Sequence, residues 1–228
     1  LAFPPLLTGL AVVDDPFVAA TGAAKDVEPG TIFYSSDQEA LRAAIVLAPE
    51  SSLAEAVSVS FAVSLGMNDA IGALAPPETA VHLEWPRRVR VNGAVCGEMR
   101  AAASTDDPER EPDWLVIGVQ INIADRNSDA PGKTPDVTTL HAEGCMEITS
   151  TQLIEAWARH MMSWLHVYLT DGFAPLHEQW RSLAFKLGED VAAPEQGVFL
   201  GLDERGGQIL KDPTGTRILP LTQLLETP

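Results

Sequence analysis

The sequence predicts an α+β fold in which a mixed sheet packs against helices and a small β-rich segment follows. Three observations carry this prediction. Residues 30–49 hold two short apolar runs, residues 51–74 and 150–170 show helical apolar spacing, and short strands joined by Gly-rich turns take over near the C-terminus. An order of strands, helix, hairpin, strand, helix and β-rich tail is typical of the α+β class. We therefore expect one domain over residues 1–187 and a small one over 188–228.

Composition limits what the protein can do. Of 228 residues, 46% are hydrophobic, which is enough for a sizeable core, and the formal net charge is −17. Such a charge argues against nucleic acid and against anionic membranes as partners, because phosphate attraction requires a basic surface. Cys96 and Cys145 lack C-x-x-C spacing and so favour a reducing, cytoplasmic setting. The N-terminal stretch LAFPPLLTGLAVVDDPF is interrupted by prolines and lacks a basic leader, so we expect neither a signal peptide nor a membrane span.

The first half of the chain begins with buried strands and a helix. Ile32–Tyr34 and Ala43–Leu47 are short apolar runs bounded by glycine and proline, which predicts strands. Ser52 and Glu55 have the spacing of a capping box, which predicts a helix start at this point. The helix should bury one face and end at a Pro-Pro pair; the residues of that face are Leu53, Val57, Phe61 and Leu65.

A hairpin follows in EWPRRVRVNGAVCGEMR, residues 84–100. The Asn92-Gly93 pair is a strong signal for a two-residue turn, since both positions must accept positive φ. Period-two alternation puts Arg88 and Arg90 on one face, whereas Arg87 should point away with the valines. Four arginines in this hairpin, against two acids, suggest either a charged strand edge that resists aggregation or a clamp for phosphate or carboxylate.

The second half alternates loops with long regular elements. Residues 104–112 and 125–137 are polar loops, and WLVIGVQINI at 114–123 is a nearly continuous apolar strand that should be central. A helix over about 150–170, capped by Thr149 or Ser150, should end at Asp171-Gly172. Its apolar face comprises Leu153, Trp157, Met161, Trp164 and Tyr168, and a further short helix should follow in FAPLHEQWRSLAF.

The usual catalytic signals are weak. The five histidines lack metal-ligand spacing, so we expect no metal site, and there is no G-x-S-x-G, G-x-x-x-x-G-K or G-x-G-x-x-G pattern. Cys145 in HAEGCMEI has two interpretations. It is either a thioester-forming nucleophile beside His141 or a small buried apolar residue.

Five motifs in order give the chain a resemblance to a known family. They are WPRRVRVNGAVCG, IGVQIN with Gly118 and Asn122, TTLHAEG, DGFAP followed by Trp180, and GLDERGGQIL. Together they resemble the biotin/lipoate A/B protein ligase family, whose catalytic domain is followed by a small SH3-like C-terminal domain. With no helix-turn-helix segment before the domain, the resemblance is to ligases that are not DNA-binding repressors.

The resemblance implies an activity and a set of site residues. Such ligases use Mg-ATP to activate biotin or lipoate as an acyl-adenylate and then acylate a lysine of an acceptor protein. They use a G-R-G-R-x-G loop and the Lys of K-x-x-G, positive groups that stabilise charge on the phosphates. Here the loop is missing, Val95 lies at the Lys position counted from Trp85, and Arg87-Arg88 replaces Asn-Asp. The binding candidates carried over or suggested by position are Gln38, Trp85, Arg87, Arg88, Arg90, Gly97, Gly118 and Asn122.

Three hypotheses follow for function. The first is a divergent ligase-like protein whose acyl-adenylate-forming activity is expected to be weak because the Gly/Arg loop and the Lys are missing, with ATP and Mg as cofactors only if ligase activity survives. If the hairpin arginines replace the lost charge, the site should bind a different anionic acid or nucleotide. The second is a non-catalytic module that binds a small ligand or a partner, and the third is an acyltransferase that depends on Cys145. The expected partners are a small carboxylic acid such as biotin or lipoate and, for a ligase, a carrier protein. The oligomeric state is left open.

Overall fold

The structure, a computed structural model, describes residues 1–125 and 136–226, and within them a seven-stranded mixed sheet forms the centre of the protein. The order across the sheet is β1-β2-β3-β7-β6-β5-β4, in which β1 runs parallel to β2 and all other neighbours are antiparallel. The predicted apolar strand is thus central. The strands are β1 Thr8–Ala11, β2 Thr31–Ser36, β3 Ala40–Leu47, β4 Val81–Glu84, β5 Arg88–Val91, β6 Ala94–Ala103 and β7 Leu115–Asn122.

Helices cover the two faces of this sheet unequally. One face is covered by a short α2, Leu53–Ala56, by α3, Ser60–Leu74, and by α4, Ser150–Asp171, with α5, Ala174–Ser182, beside them. The other face is covered only in part, by the eight-residue α1, Pro16–Ala23. The described residues therefore leave part of one sheet face open.

Close helix packing on the covered face explains one glycine. A Cβ at Gly66 in α3 would lie 2.7 Å from the Met161 backbone in α4, so any larger residue would push the two helices apart. Trp157, fully buried between them, donates its indole N–H to the Val63 carbonyl at 3.2 Å. The predicted α4 face is confirmed for its first three members, which are buried, and Thr149 forms a capping box with Gln152.

The predicted capping box at Ser52 is wrong. The Ser52 side chain makes no capping hydrogen bond, and a 3-10 turn at Val57–Val59 separates α2 from α3. The first amide groups of the helix are instead satisfied from the acidic loop: the Leu53 and Ala54 N–H groups donate to the Arg110 and Pro108 carbonyls, at 2.8 and 2.9 Å. A loop more than fifty residues downstream supplies the acceptors that local sequence reasoning assigned to a side chain.

The predicted hairpin is confirmed. Asn92 and Gly93 have φ of 50° and 93°, as a two-residue turn of this kind requires, and Val89 and Val91 are fully buried. The hairpin does not form the sheet edge, because β4 pairs with the outer side of β5. The charged-edge interpretation of its arginines therefore loses its basis.

Two N-terminal elements, β1 and α1, were not predicted. Asp15 caps α1 by accepting hydrogen bonds from the Phe17 and Val18 amides at 2.8 and 3.4 Å.

Leu53–Leu74 is the one stretch of the described residues that is long and apolar enough to cross a membrane, but 72% of its most apolar window is buried within the protein. That burial is typical of a core helix.

The C-terminal segment forms a second, four-stranded antiparallel sheet, in the order β11-β10-β9-β8. Trp85, at the start of the hairpin, joins the two sheets by donating its indole N–H to the Gly206 carbonyl at 2.9 Å. A 3-10 turn at Leu221–Leu224 follows the last strand. The strands are β8 Asp190–Val191, β9 Gly197–Leu202, β10 Gln208–Asp212 and β11 Gly215–Leu219.

Candidate functional site

A row of polar side chains crosses the open part of the sheet. Directly paired residues of neighbouring antiparallel strands have side chains on the same face, so register places one residue from each of six strands in line. We call this set the polar row; from β2 to β4 it consists of Ser35, Arg42, Gln120, Glu98, Arg88 and Glu84. Within it the Arg42 Nε atom donates to the Gln120 Oε1 atom at 3.3 Å.

A cleft of about 700 Å³ lies above the β4 end of the polar row. It is bounded on the other side by lining residues from the stretch 185–193, which includes β8 of the second sheet described above. The charged groups that line it include Glu84, Glu98 and Asp136 as anions and Arg88, Arg90 and Lys186 as cations. Among the described lining residues there are three charges of each sign, so this part of the cleft is not the basic pocket that a polyphosphate prefers.

Arg90 is held in place by three contacts. Its Nε atom donates to the Glu84 carboxylate at 2.6 Å and its Nη1 atom to the Gly93 carbonyl at 2.6 Å, while the guanidinium lies 4.3 Å from the centre of the Phe185 ring. Arg88 shares the same carboxylate at 3.5 Å, but its side chain is 41% exposed. Arg88 is therefore the hairpin arginine with freedom to meet a ligand in the cleft.

The connection between β2 and β3 is a closed turn. The Asp37 carboxylate accepts from the Glu39 and Ala40 amides at 2.8 and 2.6 Å, and its second oxygen pairs with Arg42 at 2.5 Å. Burial alone would raise the pKa of the Asp37 carboxyl, but these backbone bonds and Arg42 together hold it below its usual value. The turn therefore holds its own anion, which occupies two of its amides and the Arg42 guanidinium.

Val95 lines the cleft where the family resemblance expects an amine. Its backbone pairs with residues 136–138, since its N–H donates to the Asp136 carbonyl at 2.8 Å and its carbonyl accepts from Thr138 at 2.9 Å. If the Gly of the K-x-x-G motif is aligned with Gly97, the Lys position falls on Ala94 instead of Val95. Neither residue carries charge, so the departure from the family pattern holds in either register.

The structure places four predicted binding residues on the cleft and others away from it. Arg88, Arg90, Gly97 and Asn122 line the cleft together with Val95. Asn122 donates to the Thr138 carbonyl at 3.3 Å and so anchors residues that follow the second polar loop, most of which lies outside the described residues.

The remaining candidates have other positions. Trp85 is buried at the junction of the two sheets, and Gln38 is exposed in the β2–β3 turn. Arg87 does not point away with the valines, as alternation predicted, because it lies in the turn before β5, where its Nε atom is 4.0 Å from Glu98. Gly118 lies under α1, and a Cβ there would be 2.6 Å from the Phe17 ring.

Three basic residues of this region were missed by sequence reasoning. Arg42 belongs to the polar row, Lys186 lines the cleft, and Arg100 lies on the same sheet face as Glu98, two residues further along β6. Arg42 and Lys186 each sit alone in an apolar or acidic stretch of sequence, and Arg100 was counted only as one of the four hairpin arginines. The register of strands distant in sequence brings Arg42 and Arg100 to one face.

Neither of the other sequence signals forms a reactive centre. Cys145 is buried, 3.8 Å from the Thr79 hydroxyl, and the His141 ring is hydrogen-bonded to the Ile148 carbonyl at 3.1 Å. This geometry supports the packing interpretation of Cys145. Across residues 1–125 and 136–226, no cluster of three or more His, Cys, Asp or Glu side chains could hold a metal. Among the described residues, Val95 supplies no cation at the position where the family resemblance expects a lysine, and the Arg42 guanidinium beside the closed turn is paired with Asp37.

Sequence comparison identifies the family. Residues 3–182 match the model of the Biotin/lipoate A/B protein ligase family, which is about four-fifths of the chain. The chain belongs to the biotin/lipoate A/B protein ligase family. Among curated proteins it is 27% identical over 188 residues to the biotin--[acetyl-CoA-carboxylase] ligase of Paracoccus denitrificans, covering 79% of this chain and 77% of that protein.

Solved structures agree on the fold. A biotin protein ligase-like protein of unknown function from a Silicibacter species is 44% identical, with a TM-score of 0.92 and 99% of both chains covered. A mutant biotin protein ligase from Aquifex aeolicus, in complex with biotin, is 18% identical with a TM-score of 0.75, covering 94% of this chain and 96% of that one. At that identity the second likeness concerns the fold alone.

The C-terminal sheet matches a separate model. Residues 187–227 match a domain of unknown function (DUF4444), and the fold assignment of a ligase-like sheet followed by a small β domain is confirmed. The division into domains at residues 187 and 188 stays a prediction, since the two sheets share one hydrophobic cluster that includes Phe199 and Leu210.

Proposed function

We propose that this chain is a divergent family member that binds a small organic acid of the biotin or lipoate kind and does not form acyl-adenylates efficiently. The observation that carries the proposal is the closed β2–β3 turn, in which Asp37 occupies the amides and the arginine of the segment that the family resemblance assigns to phosphate binding. A turn that already contains its anion has little to offer a triphosphate.

Negative charge that develops during adenylation requires stabilisation by positive groups of the protein. A charged hydrogen bond to such a centre is worth about 3 kcal/mol, or on the order of a hundredfold in rate. Val95 supplies none, and Arg90 is committed to Glu84. The combined loss of loop and lysine therefore predicts a rate reduced by about ten-thousandfold, if the two effects are independent.

Binding of a small carboxylate remains compatible with the same cleft. Arg88 is partly exposed and its ion pair with Glu84, at 3.5 Å, is long enough to exchange for a ligand carboxylate. The cleft volume of about 700 Å³ is within the range of small-molecule sites. A carrier protein is a further partner if some acyl transfer survives. Cys96 and Cys145 are buried and form no disulfide, which supports a cytoplasmic setting.

A second candidate is a ligase with reduced activity. It is favoured by the 27% identity to a biotin--[acetyl-CoA-carboxylase] ligase and by Arg42, which lies next to the closed turn. If Arg42 exchanged Asp37 for a phosphate, it would restore one of the missing cations. The two candidates differ in a single requirement, which is ATP.

Thermal denaturation with biotin, lipoate, octanoate, Mg-ATP and biotinyl-adenylate, singly and combined, tests the proposal. A ligand at about a hundred times its dissociation constant adds roughly 2.7 kcal/mol of stability, or about 5–10 °C in Tm for a chain of this size. We expect a shift with an acid alone and none with Mg-ATP alone. Pyrophosphate release with biotin and ATP would instead establish the ligase.

The Arg88→Ala variant locates the binding event, and Arg217→Ala is its control. Arg217 has a similar exposure and also pairs with carboxylates, but it lies in the C-terminal sheet and away from the cleft. We expect the first variant to lose the shift and the second to keep it. Equal shifts in both variants would place the ligand elsewhere, and absence of any shift in the unaltered protein would refute binding of these acids.

A further inference from the structure

A cavity of about 870 Å³ lies away from the cleft, where helices cover the sheet. Its lining comes from the start of the chain, from α2, from the C-terminal half of α4 and from the turn between β9 and β10. The cavity and the cleft share no described lining residue. We call this cavity the groove, and a site for a small acid in the cleft does not account for it.

The groove has an apolar floor and exposed apolar side chains at its borders. The floor consists of core side chains, namely Leu7, Ile45, Ala56, Val59, Leu115 and Leu165. At the borders, the side chains of Leu6 and Leu169 are 87% and 81% exposed. Leu169 lies about one turn beyond Leu165 on α4, so the apolar face of this helix continues past the core into solvent. Exposed apolar side chains that border a groove are typical of an interaction surface.

Leu6 is displayed by a backbone conformation that leucine rarely adopts. The Leu7 N–H donates to the Pro4 carbonyl at 3.1 Å, which closes a turn with Leu6 at its third position. Leu6 has a φ of 73°, and turns with positive φ at this position ordinarily place glycine or asparagine there. The chain thus accepts backbone strain to hold an apolar side chain in solvent beside the groove. Neither burial nor turn geometry explains a leucine at this position, whereas contact with a partner does.

The charge around the groove favours a basic partner. Glu50, Glu55 and Glu204 line it, all three are exposed, and none of them forms an ion pair with another described residue. The cationic side chain among the described lining residues is Arg205, and His166 adds one imidazole. The described lining is therefore acidic, and lysine or arginine side chains of a partner would meet unpaired carboxylates. An anionic membrane or a second copy of this acidic chain would instead add negative charge.

We propose that the groove docks a segment of a partner protein whose apolar face is flanked by lysine or arginine residues. The apolar side chains of the segment fill the groove between Leu6 and Leu169, and its basic side chains pair with the carboxylates of the lining. Because the groove and the cleft share no described lining residue, the segment and a small ligand can bind at the same time. The docking is independent of the proposed function of the cleft.

Fluorescence anisotropy with two synthetic peptides tests the docking on the full chain. Both peptides are amphipathic helices about fifteen residues long with the same leucine face, and the lysines of the first are glutamates in the second. We expect saturable, one-to-one binding of the lysine peptide that weakens as salt is added, and no binding of the glutamate peptide. Equal binding of the two peptides, or binding of neither, would overturn the inference.

Variants at the borders locate the docked peptide. Leu169→Lys should weaken binding of the lysine peptide about tenfold or more, since it removes an apolar anchor. Leu200→Lys is the matched control, because Leu200 is 46% exposed but lies in β9 outside the groove, and the charge changes equally. Leu6→Asn should also weaken binding while Tm stays the same or rises, because asparagine accepts the positive φ. Equal weakening by both lysine variants, or full binding by Leu6→Asn, would overturn the docking site.

Charge removal tests the acidic lining. The double variant Glu50→Gln, Glu55→Gln should bind the lysine peptide about threefold more weakly at low salt. A double variant with Glu178→Gln and Glu189→Gln loses the same charge at residues that do not line the groove, and it should keep full affinity. Equal affinities of the two double variants would remove the charge complementarity on which the choice of partner rests.

Sedimentation distinguishes the other occupants. We expect a protein that does not dimerise through the groove, does not sediment with phosphatidylcholine vesicles and binds the lysine peptide. A dimer that Leu169→Lys dissociates would assign the groove to a second copy of the chain. Co-sedimentation with the vesicles that Leu169→Lys abolishes would assign it to a lipid surface. Either of these two results would overturn the proposal of a basic protein segment.

Discussion

Replacement of Trp85 by Phe separates a structural role of this residue from a ligand-binding one. Trp85 is only 3% exposed, and its indole N–H is the hydrogen bond that joins the hairpin to the Gly206 carbonyl of the C-terminal domain. Phe removes this donor and leaves a buried carbonyl unsatisfied, which costs about 1–3 kcal/mol. The smaller ring adds about 1–2 kcal/mol for the space left behind.

The total, about 2–5 kcal/mol, corresponds to a decrease in Tm of several degrees or more for a chain of this length, measured by circular dichroism or calorimetry. Trp114→Phe is the matched control. Trp114 is also buried, at 7% exposed, but its indole nitrogen has no hydrogen-bond partner among the described residues. The same atoms are removed, so the difference between the two variants isolates the hydrogen bond at about 1–3 kcal/mol.

Affinity for the ligand should not change in Trp85→Phe, because the residue does not line the cleft. Equal losses of stability in both variants would refute the argument from the hydrogen bond. A stable Trp85→Phe protein with weakened biotin binding would show that Trp85 is a binding residue after all, as the family resemblance implied.

Three further predictions concern packing, pH and thiol reactivity. Gly118→Ala should cost about 1–3 kcal/mol in chemical denaturation because its Cβ would meet the aromatic ring of α1, whereas Gly72→Ala, in open space on α3, should be neutral or stabilising by about 0.5–1 kcal/mol. The pKa of the Glu226 carboxyl is lowered chiefly by the hydrogen bond from its arginine partner, Arg100. The ionised carboxylate therefore contributes its full share of stability above the unfolded pKa of 4.5, and this share is lost as pH falls through the lower folded pKa. Glu226→Gln should lack that part of the pH dependence, and an unchanged stability profile between pH 5 and pH 2 would contradict the assignment. Burial raises the pKa of Cys96 to about 12 and Cys145 is also buried, so Ellman's reagent at pH 8 should modify either thiol only after addition of denaturant, and rapid reaction of the native protein would revive a reactive Cys145.

The sequence determined the elements whose signals are local. The central strand at 115–122, the α4 helix with its glycine stop, and the Asn92-Gly93 turn follow from apolar periodicity and from backbone conformations that few residues accept. The five ordered motifs led to the correct family, and the absent lysine was visible in the sequence. Where a competing acceptor came from far along the chain, as at the start of α2, local reasoning gave the wrong cap.

Only the tertiary structure decided what the charged residues do. From the sequence, the hairpin arginines had no assigned partners; in the fold, Arg90 is committed to Glu84 and Arg100 to Glu226, and Arg42, outside the hairpin, is committed to Asp37. The physical reason is that a strand's side-chain alternation is local, whereas its neighbours across the sheet depend on the register of segments that are distant in sequence. The sequence by itself therefore determined which faces are polar, and the assembled sheet determined which of those charges remain available to a ligand.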